Sequence, residues 1–268
     1  MNDQIENSIL SVVNIRKEFV VKKHFLTGKI EEKVVAVKNL SFSIEEGKTI
    51  GIVGESGSGK STTGEIVGGL IEPTFGKVYY RNRDIKELSN IDYKKYRKNV
   101  QFIFQDPKGS MDPNYKIGQI ISEPLFTLNY AKTKEEAEKM VDDMLEKVGL
   151  DKGFKYKYPS EMSGGQCQRA AIARALIVKP HVIICDEPVS ALDVSIQAQI
   201  LNLLKDLQKE YNISYIFISH DIGVVNYMAD TIMVMNKGNV VEMGDAKQIL
   251  TNPKEEYTKK LIESAFIR

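Results

Sequence analysis

A glycine-rich loop, Gly54-Glu55-Ser56-Gly57-Ser58-Gly59-Lys60-Ser61, separates a short apolar run, Thr49 to Val53, from a stretch that reads as a helix from Lys60 toward Leu70. No other feature narrows the fold as much. The run is a strand of the buried parallel type, and a strand that passes through glycines straight into a helix is a unit of an α/β sheet. Gly54, Gly59, Lys60 and Ser61 stand at the spacing of the full phosphate-loop pattern. The chemistry follows from the residue types. Glycines let backbone N–H groups approach phosphate oxygens, and the helix N-terminus adds its partial positive charge. Lys60 reaches the β and γ phosphates, and Ser61 binds Mg²⁺. Glu55, Ser56, Gly57, Ser58 and Thr62 complete the binding stretch. A plain glycine turn between strand and helix is the alternative, and the complete motif in this setting argues against it.

A second apolar run ends in acid: Val182-Ile183-Ile184-Cys185-Asp186-Glu187-Pro188. A carboxylate at the end of a buried strand can hold the magnesium ion, usually through water, which is the role expected of Asp186. Glu187, one residue on, is placed to polarise an attacking water. Such a pair alone is weak evidence, but the upstream phosphate loop gives it a partner.

Ser163-Gly164-Gly165-Gln166, preceded by Met162, opens a run to Val178 that reads as a helix. It presents another set of backbone donors at a helix N-terminus. One nucleotide seldom needs two such anion sites from a single chain. The economical reading is that this motif closes over ATP held by an opposing subunit, and the bland one is a helix cap. His220 follows Tyr215-Ile216-Phe217-Ile218-Ser219 and precedes Asp221, a strand-end position of the kind that serves nucleotide sites. His24 and His181 match no motif and read as incidental surface residues.

Composition argues against several classes. Lys plus Arg number 37 against 36 Asp plus Glu, so a net charge of +1 provides no electrostatic reason for a nucleic-acid partner. The longest apolar runs, such as Ile50 to Val53, fall far short of the roughly 18 residues of a spanning helix. The N-terminal MNDQIENSIL lacks the basic-then-apolar pattern of a signal peptide, which points to the cytosol. Cys167 and Cys185 lie in apolar or motif segments and read as buried free thiols.

The first fifty residues read as β structure, with strands Ile9 to Ile15, Val34 to Val37 and Leu40 to Ile44, and an exposed basic loop over Lys22 to Lys33. From about Asp106 to Val178 the pattern turns helical. Its clearest helix has Thr133 and Glu136 as a capping box, Ala137, Met140, Val141, Met144, Leu145 and Val148 at helical spacing, and Gly149 as its stop. The chain then returns to α/β, with strand Val182 to Cys185, a helix Ile196 to Tyr211 carrying Ile200, Leu203, Leu204 and Leu207 on one face, and strand Tyr215 to Ser219. A short helix over Ile222 to Met228 precedes a hairpin of Thr231 to Met235 and Val240 to Met243 around Asn236-Lys237-Gly238-Asn239. Small helices over Ala246 to Leu250 and Tyr257 to Ser264 end the chain.

In order and over almost the whole length, these motifs resemble the nucleotide-binding subunit of an ATP-binding-cassette transporter. The resemblance implies an α/β fold: a phosphate-loop nucleoside triphosphatase core of RecA-like type with a mostly parallel sheet, an N-terminal antiparallel β subdomain and an inserted helical subdomain. Across a single domain of 268 residues, 1–105 with 179–245 would form the core and β subdomain, 106–178 the helical subdomain, and 246–268 a helical tail. Carried over by position, Gln105 in Phe102-Ile103-Phe104-Gln105-Asp106-Pro107 resembles the loop glutamine that contacts magnesium and links the site to the membrane subunit. Ser190-Ala191-Leu192-Asp193 resembles the segment that communicates across the dimer, with Asp193 at its end. His220 resembles the switch histidine at the γ phosphate, and Phe19 the aromatic that stacks on adenine, with Phe25 as the alternative.

The strings QDPKGSMDP, SALDVSIQAQILNLL and NPKEEYTKKLIESA are similar to those of importers of the peptide and nickel group. Met162 departs from the commoner leucine, a volume-conserving exchange. No cysteine follows Ser264 to bind the cluster that some peptide-type relatives carry there. The resemblance implies an ATP hydrolase with Mg²⁺, peripheral on the cytoplasmic face of the cell membrane. Its partners would be two transmembrane permease subunits, a second ATPase subunit, related rather than identical, and indirectly an extracytoplasmic solute-binding protein. Segment Asp106 to Pro124 is expected to form the groove for a permease helix. A soluble cassette ATPase acting on ribosomes or DNA is the rival reading, and a phosphoryl-transfer kinase ranks below it because it leaves the Ser163 motif and His220 unexplained.

Overall fold

The structure, a computed structural model, describes residues 8–23 and 30–266. They form two compact units, one made of the described residues up to Ser89 with those from Ile216 onward, the other of Asn90–Tyr215.

The first unit opens with two long antiparallel strands, β1 (Leu10–Lys23) and β2 (Ile30–Ile44). Both outrun the sequence-based expectation. Val34–Val37 and Leu40–Ile44 belong to one strand, and the described residues of the expected basic loop, Lys22, Lys23 and Ile30 to Lys33, are all strand. Apolar alternation missed this because the pairing is irregular. Register shifts interrupt the β1–β2 ladder at several points, and Asn14 and Asn39 take φ of 50° and 46°. Charged residues also bridge the strands: Glu18 on β1 pairs with Arg16 at 2.8 Å and with Lys33 on β2 at 2.8 Å.

After β3 (Thr49–Val53), strands β4 (Phe75–Tyr80) and β5 (Arg83–Asp84) return to β1 and complete an antiparallel sheet of order β2-β1-β4-β5. β3 lies in a different sheet with every residue buried. It runs parallel to β9 (Thr231–Asn236), and β9 pairs antiparallel with β10 (Asn239–Asp245). The expected hairpin is present. Lys237 and Gly238 form its two-residue turn with φ of 46° and 81°, both left-handed, as a turn matched to strand twist requires. The helix Lys60–Val67 leaves the phosphate loop, and helices Ile222–Met228, Ala246–Thr251 and Glu256–Phe266 complete this unit.

The second unit contains the parallel pair β6 (Val100–Ile103) and β7 (Val182–Asp186), in register from Val100 opposite Val182 to Ile103 opposite Cys185. Between them run the helices Ile117–Thr127, Lys134–Lys147 and Gly164–Leu176. The helix at Lys134–Lys147 starts as expected: Thr133 Oγ1 accepts the Glu136 N–H at 3.1 Å. The Glu136 carboxylate, however, takes the N–H of Lys132 at 2.9 Å, one residue before the position a capping box requires. Helix Val194–Tyr211 buries Ile200, Leu201, Leu204 and Leu207. Leu203 is half-buried, so the stripe rotates toward Leu201 from the face read in the sequence. Cys167 and Cys185 are buried and free, and burial raises the pKa of both thiols, which keeps them protonated.

Candidate nucleotide site

In the first unit the phosphate loop leaves the buried end of β3 at Gly54 and enters the helix at Lys60. Two glycines are dictated by what surrounds them. A Cβ at Gly54 would stand 2.1 Å from the Met235 carbonyl oxygen, and one at Gly59, where φ is 101°, would stand 2.3 Å from the Ala36 carbonyl oxygen. β9 and β2 therefore floor the loop with their own backbone. The hairpin turn adds a direct tie, since the Gly238 N–H donates to the Ser58 carbonyl at 3.0 Å. Lys60 is 5% exposed, and its Nζ donates to the carbonyl oxygens of Gly54 at 2.8 Å and Glu55 at 2.9 Å. The ammonium is thus aimed along the inside of the loop. Ser61, at the second position of the helix, is exposed, and Thr62 is half-buried.

His220 follows β8 (Ser214–Ser219) and is exposed. Asp221, beside it, caps the helix Ile222–Met228 by accepting the N–H groups of Gly223 at 2.8 Å and Val224 at 3.2 Å. That cap holds the histidine at the junction of strand and helix. Phe19 lies on β1 opposite Val34 and is 40% exposed. Lys17 Nζ stands 5.1 Å from its ring centroid, so the ring already offers its π face to a cation. Phe25 and His24 lie outside the described residues.

In the second unit, Asp186 ends β7 at 8% exposure. Glu187 follows with φ of 45°, a left-handed conformation that costs a non-glycine residue about 1–2 kcal/mol. The turn is held from the far side, where the Ser190 N–H and Oγ both donate to the Glu187 carbonyl, at 3.3 and 3.1 Å. Gln105 Nε2 donates to Glu187 Oε2 at 3.0 Å. The two residues are 82 apart in sequence, and the structure brings their side chains together. Asp193 caps helix Val194–Tyr211 through the Ile196 N–H at 3.0 Å and accepts from Ser195 Oγ at 2.7 Å; these two bonds, the hydroxyl first, lower its pKa.

Ser163 is the N-cap of helix Gly164–Leu176 in a reciprocal capping box. The Gln166 N–H donates to Ser163 Oγ at 3.3 Å, and the Ser163 N–H donates to Gln166 Oε1 at 3.0 Å. The bland reading of this motif as a helix cap is therefore met, and the cap holds the glycines at the helix start with Ser163 and Gly164 exposed. A Cβ at Gly165 would meet Ile196 Cγ2 at 2.7 Å, whereas at Gly164 it would meet Leu192 Cδ2 at an ordinary 3.4 Å.

Beyond Gln105 the unit carries a groove of about 860 Å³ whose walls include Tyr115, Phe126, Val141 and Arg174. Tyr115 is 53% exposed. Arg174 Nη1 donates to the Ser110 carbonyl at 2.8 Å and ties the Asp106-to-Pro124 segment to the helix that Ser163 caps. Motif reading missed Arg174, Met235 and Gly238. They act through backbone groups of distant segments, which leaves no local pattern. No helix among the described residues is long and apolar enough to cross a membrane.

Residues 37–190 match the ABC transporter family. The dipeptide transport ATP-binding protein DppF of Haemophilus influenzae is 45% identical over 264 residues, 98% of this chain and 80% of that protein. The oligopeptide transport ATP-binding protein AppF of Bacillus subtilis is 44% identical over 260 residues, 97% of this chain and 78% of that protein. Among solved structures, the dimeric post-hydrolysis state of the ATP-binding cassette MJ0796 bound to ADP and Pi superposes with a TM-score of 0.77 at 33% identity, covering 88% of this chain and 98% of that one. The fold is therefore α/β, with parallel strands and a separate antiparallel sheet, as the sequence implied. The chain belongs to the ABC transporter family, as an ATP-hydrolysing subunit.

Proposed function

We propose that this ATPase powers import of oligopeptides, dipeptides or a related small solute, nickel chelates included, through a membrane transporter. The observation that carries the reading is identity of 44–45% along nearly the whole chain to dipeptide and oligopeptide transport ATP-binding proteins. In this reading the chain lies on the cytoplasmic face of the membrane beneath two permease subunits and pairs with a second, related ATPase subunit. An external binding protein delivers the solute.

Each site would take Lys60, Ser61, Gln105, Asp186, Glu187 and His220 from one subunit and Ser163 to Gln166 from the other. Glu187 would accept the proton of the attacking water, His220 would bond the γ phosphate, and Phe19 would stack on adenine. The hydroxyl of Ser61, the amide oxygen of Gln105 and the carboxylate of Asp186 are the hard oxygen donors that suit Mg²⁺. With its Nε2 turned to Glu187, Gln105 keeps its carbonyl oxygen for such an ion. When bound, the ion neutralises charge on the phosphates. Closure of the pair follows from the higher affinity of ATP for the shut state, and hydrolysis reopens it.

The groove beside Tyr115 would receive a helix from a permease, coupling closure to the membrane. The test is to solubilise native membranes gently, isolate this chain and identify its companions by mass spectrometry. Two polytopic proteins with a second cassette are expected. Recovery only with ribosomal or DNA-bound proteins would overturn the transport reading and leave the ATPase chemistry in place.

A further inference from the structure

The tail string that contains Tyr257, Asn252-Pro253-Lys254-Glu255-Glu256-Tyr257-Thr258, has no part in the chemistry above. Yet Tyr257 Oη accepts the N–H of Glu55, the second residue of the phosphate loop, at 3.2 Å. The Glu55 carbonyl meanwhile accepts Lys60 Nζ at 2.9 Å and the Ser58 N–H at 3.2 Å. One residue of the loop is therefore held on its N–H side by the C-terminal tail and on its C=O side by the phosphate-binding lysine.

The tail is itself anchored. The Glu242 carboxylate on β10 accepts the N–H groups of Lys254 at 2.9 Å and Glu255 at 3.2 Å, just before helix Glu256–Phe266 begins. Thr258, next to the tyrosine, is fully buried. Tyr257 is half-buried, and burial raises its pKa, so the phenol stays neutral and its oxygen remains a hydrogen-bond acceptor without charge. A neutral acceptor on an anchored helix takes up the Glu55 N–H and fixes that peptide without adding negative charge beside a loop whose other N–H groups would serve an anion.

We propose that Tyr257 is a positioning residue of the ATP site: its hydroxyl fixes the Glu55 peptide and, through the carbonyls of Gly54 and Glu55, the direction of the Lys60 ammonium. The inference rests on Gly54 to Ser61 being the ATP loop. It makes the tail helix a third support of that loop, beside β2 and the β9–β10 turn.

The test compares Tyr257→Phe, which removes only the hydroxyl, with Tyr257→Leu and a Lys60→Ala control in the full-length chain. Steady-state hydrolysis and thermal unfolding are measured for each. With the hydroxyl gone, KM for ATP should rise about five-fold, the worth of one neutral hydrogen bond, with kcat within two-fold and Tm unchanged. Leucine should raise KM at least as far. An unchanged KM in Tyr257→Phe, with Lys60→Ala impaired, overturns the positioning role alone. A defect in Tyr257→Leu that phenylalanine restores assigns the effect to ring packing and likewise overturns it. Wild-type ATP binding by Lys60→Ala would remove the loop assignment itself.

Discussion

Gln105 Nε2 lies 3.0 Å from Glu187 Oε2, so the glutamine that precedes the groove segment and the carboxylate that follows β7 meet by direct hydrogen bond. Gln105 directly precedes the Asp106-to-Pro124 segment in the chain, so a shift of that segment that carries the glutamine with it would act on the carboxylate proposed as general base. The bond at stake is a single charge-assisted one, which breaks when either side moves by about an ångström.

Glu187→Gln should abolish turnover, by about 100-fold or more, while ATP binding persists and the closed pair accumulates. Phosphate release and size-exclusion chromatography with ATP check this, and wild-type turnover would remove Glu187 from the catalytic role. The backbone adds a second expectation. Because φ at Glu187 is 45°, Glu187→Gly should be more stable than Glu187→Ala by about 0.5–1 kcal/mol, reversing the usual order of these residues. Thermal unfolding of the two inactive variants decides it.

The two glycines after Ser163 should respond differently. Gly165→Ala drives a Cβ to 2.7 Å from Ile196 Cγ2 and should cost about 1–3 kcal/mol in stability, with most of it recovered on adding Ile196→Ala. Gly164→Ala meets only ordinary contact and should fold normally. A fall in hydrolysis for Gly164→Ala with monomer ATP affinity intact is the outcome expected of a motif acting on the opposite subunit.

Arg174→Ala removes the bond to the Ser110 carbonyl and should cost about 2 kcal/mol. ATP binding should survive, because Arg174 belongs to none of the phosphate-loop residues. In membranes carrying the whole complex, solute-stimulated hydrolysis should fall further than basal hydrolysis. Equal loss of both would detach the groove from coupling.

Acid should release the tail before it unfolds the rest. Burial acts to raise the Glu242 pKa, but the N–H groups of Lys254 and Glu255, at 2.9 and 3.2 Å, together with the charge of Lys254 hold it below its ordinary 4.5. A lowered folded pKa means the stabilisation is fully present above about 4.5 and is lost as pH falls through the folded value. Hydrogen exchange in Glu256–Phe266 should therefore accelerate below that pH, and Glu242→Gln should show the same exchange at neutral pH.

The local chemistry of this protein was written in short strings. Gly54 to Ser61, Val182 to Glu187 and Ser163 to Gln166 each carry their strand, turn or cap within a few residues, so periodicity and residue type determined the elements and their candidate roles. The extent of β1 and β2 was not legible, because bulges and the Arg16–Glu18–Lys33 ion pairs break the alternation on which strand reading depends. Nor was the meeting of Gln105 with Glu187, or of Tyr257 with Glu55, which lie 82 and 202 residues apart. A hydrogen bond between distant segments leaves no spacing to detect. Its partners are set by where sheets and helices put them, and only the folded chain decides that.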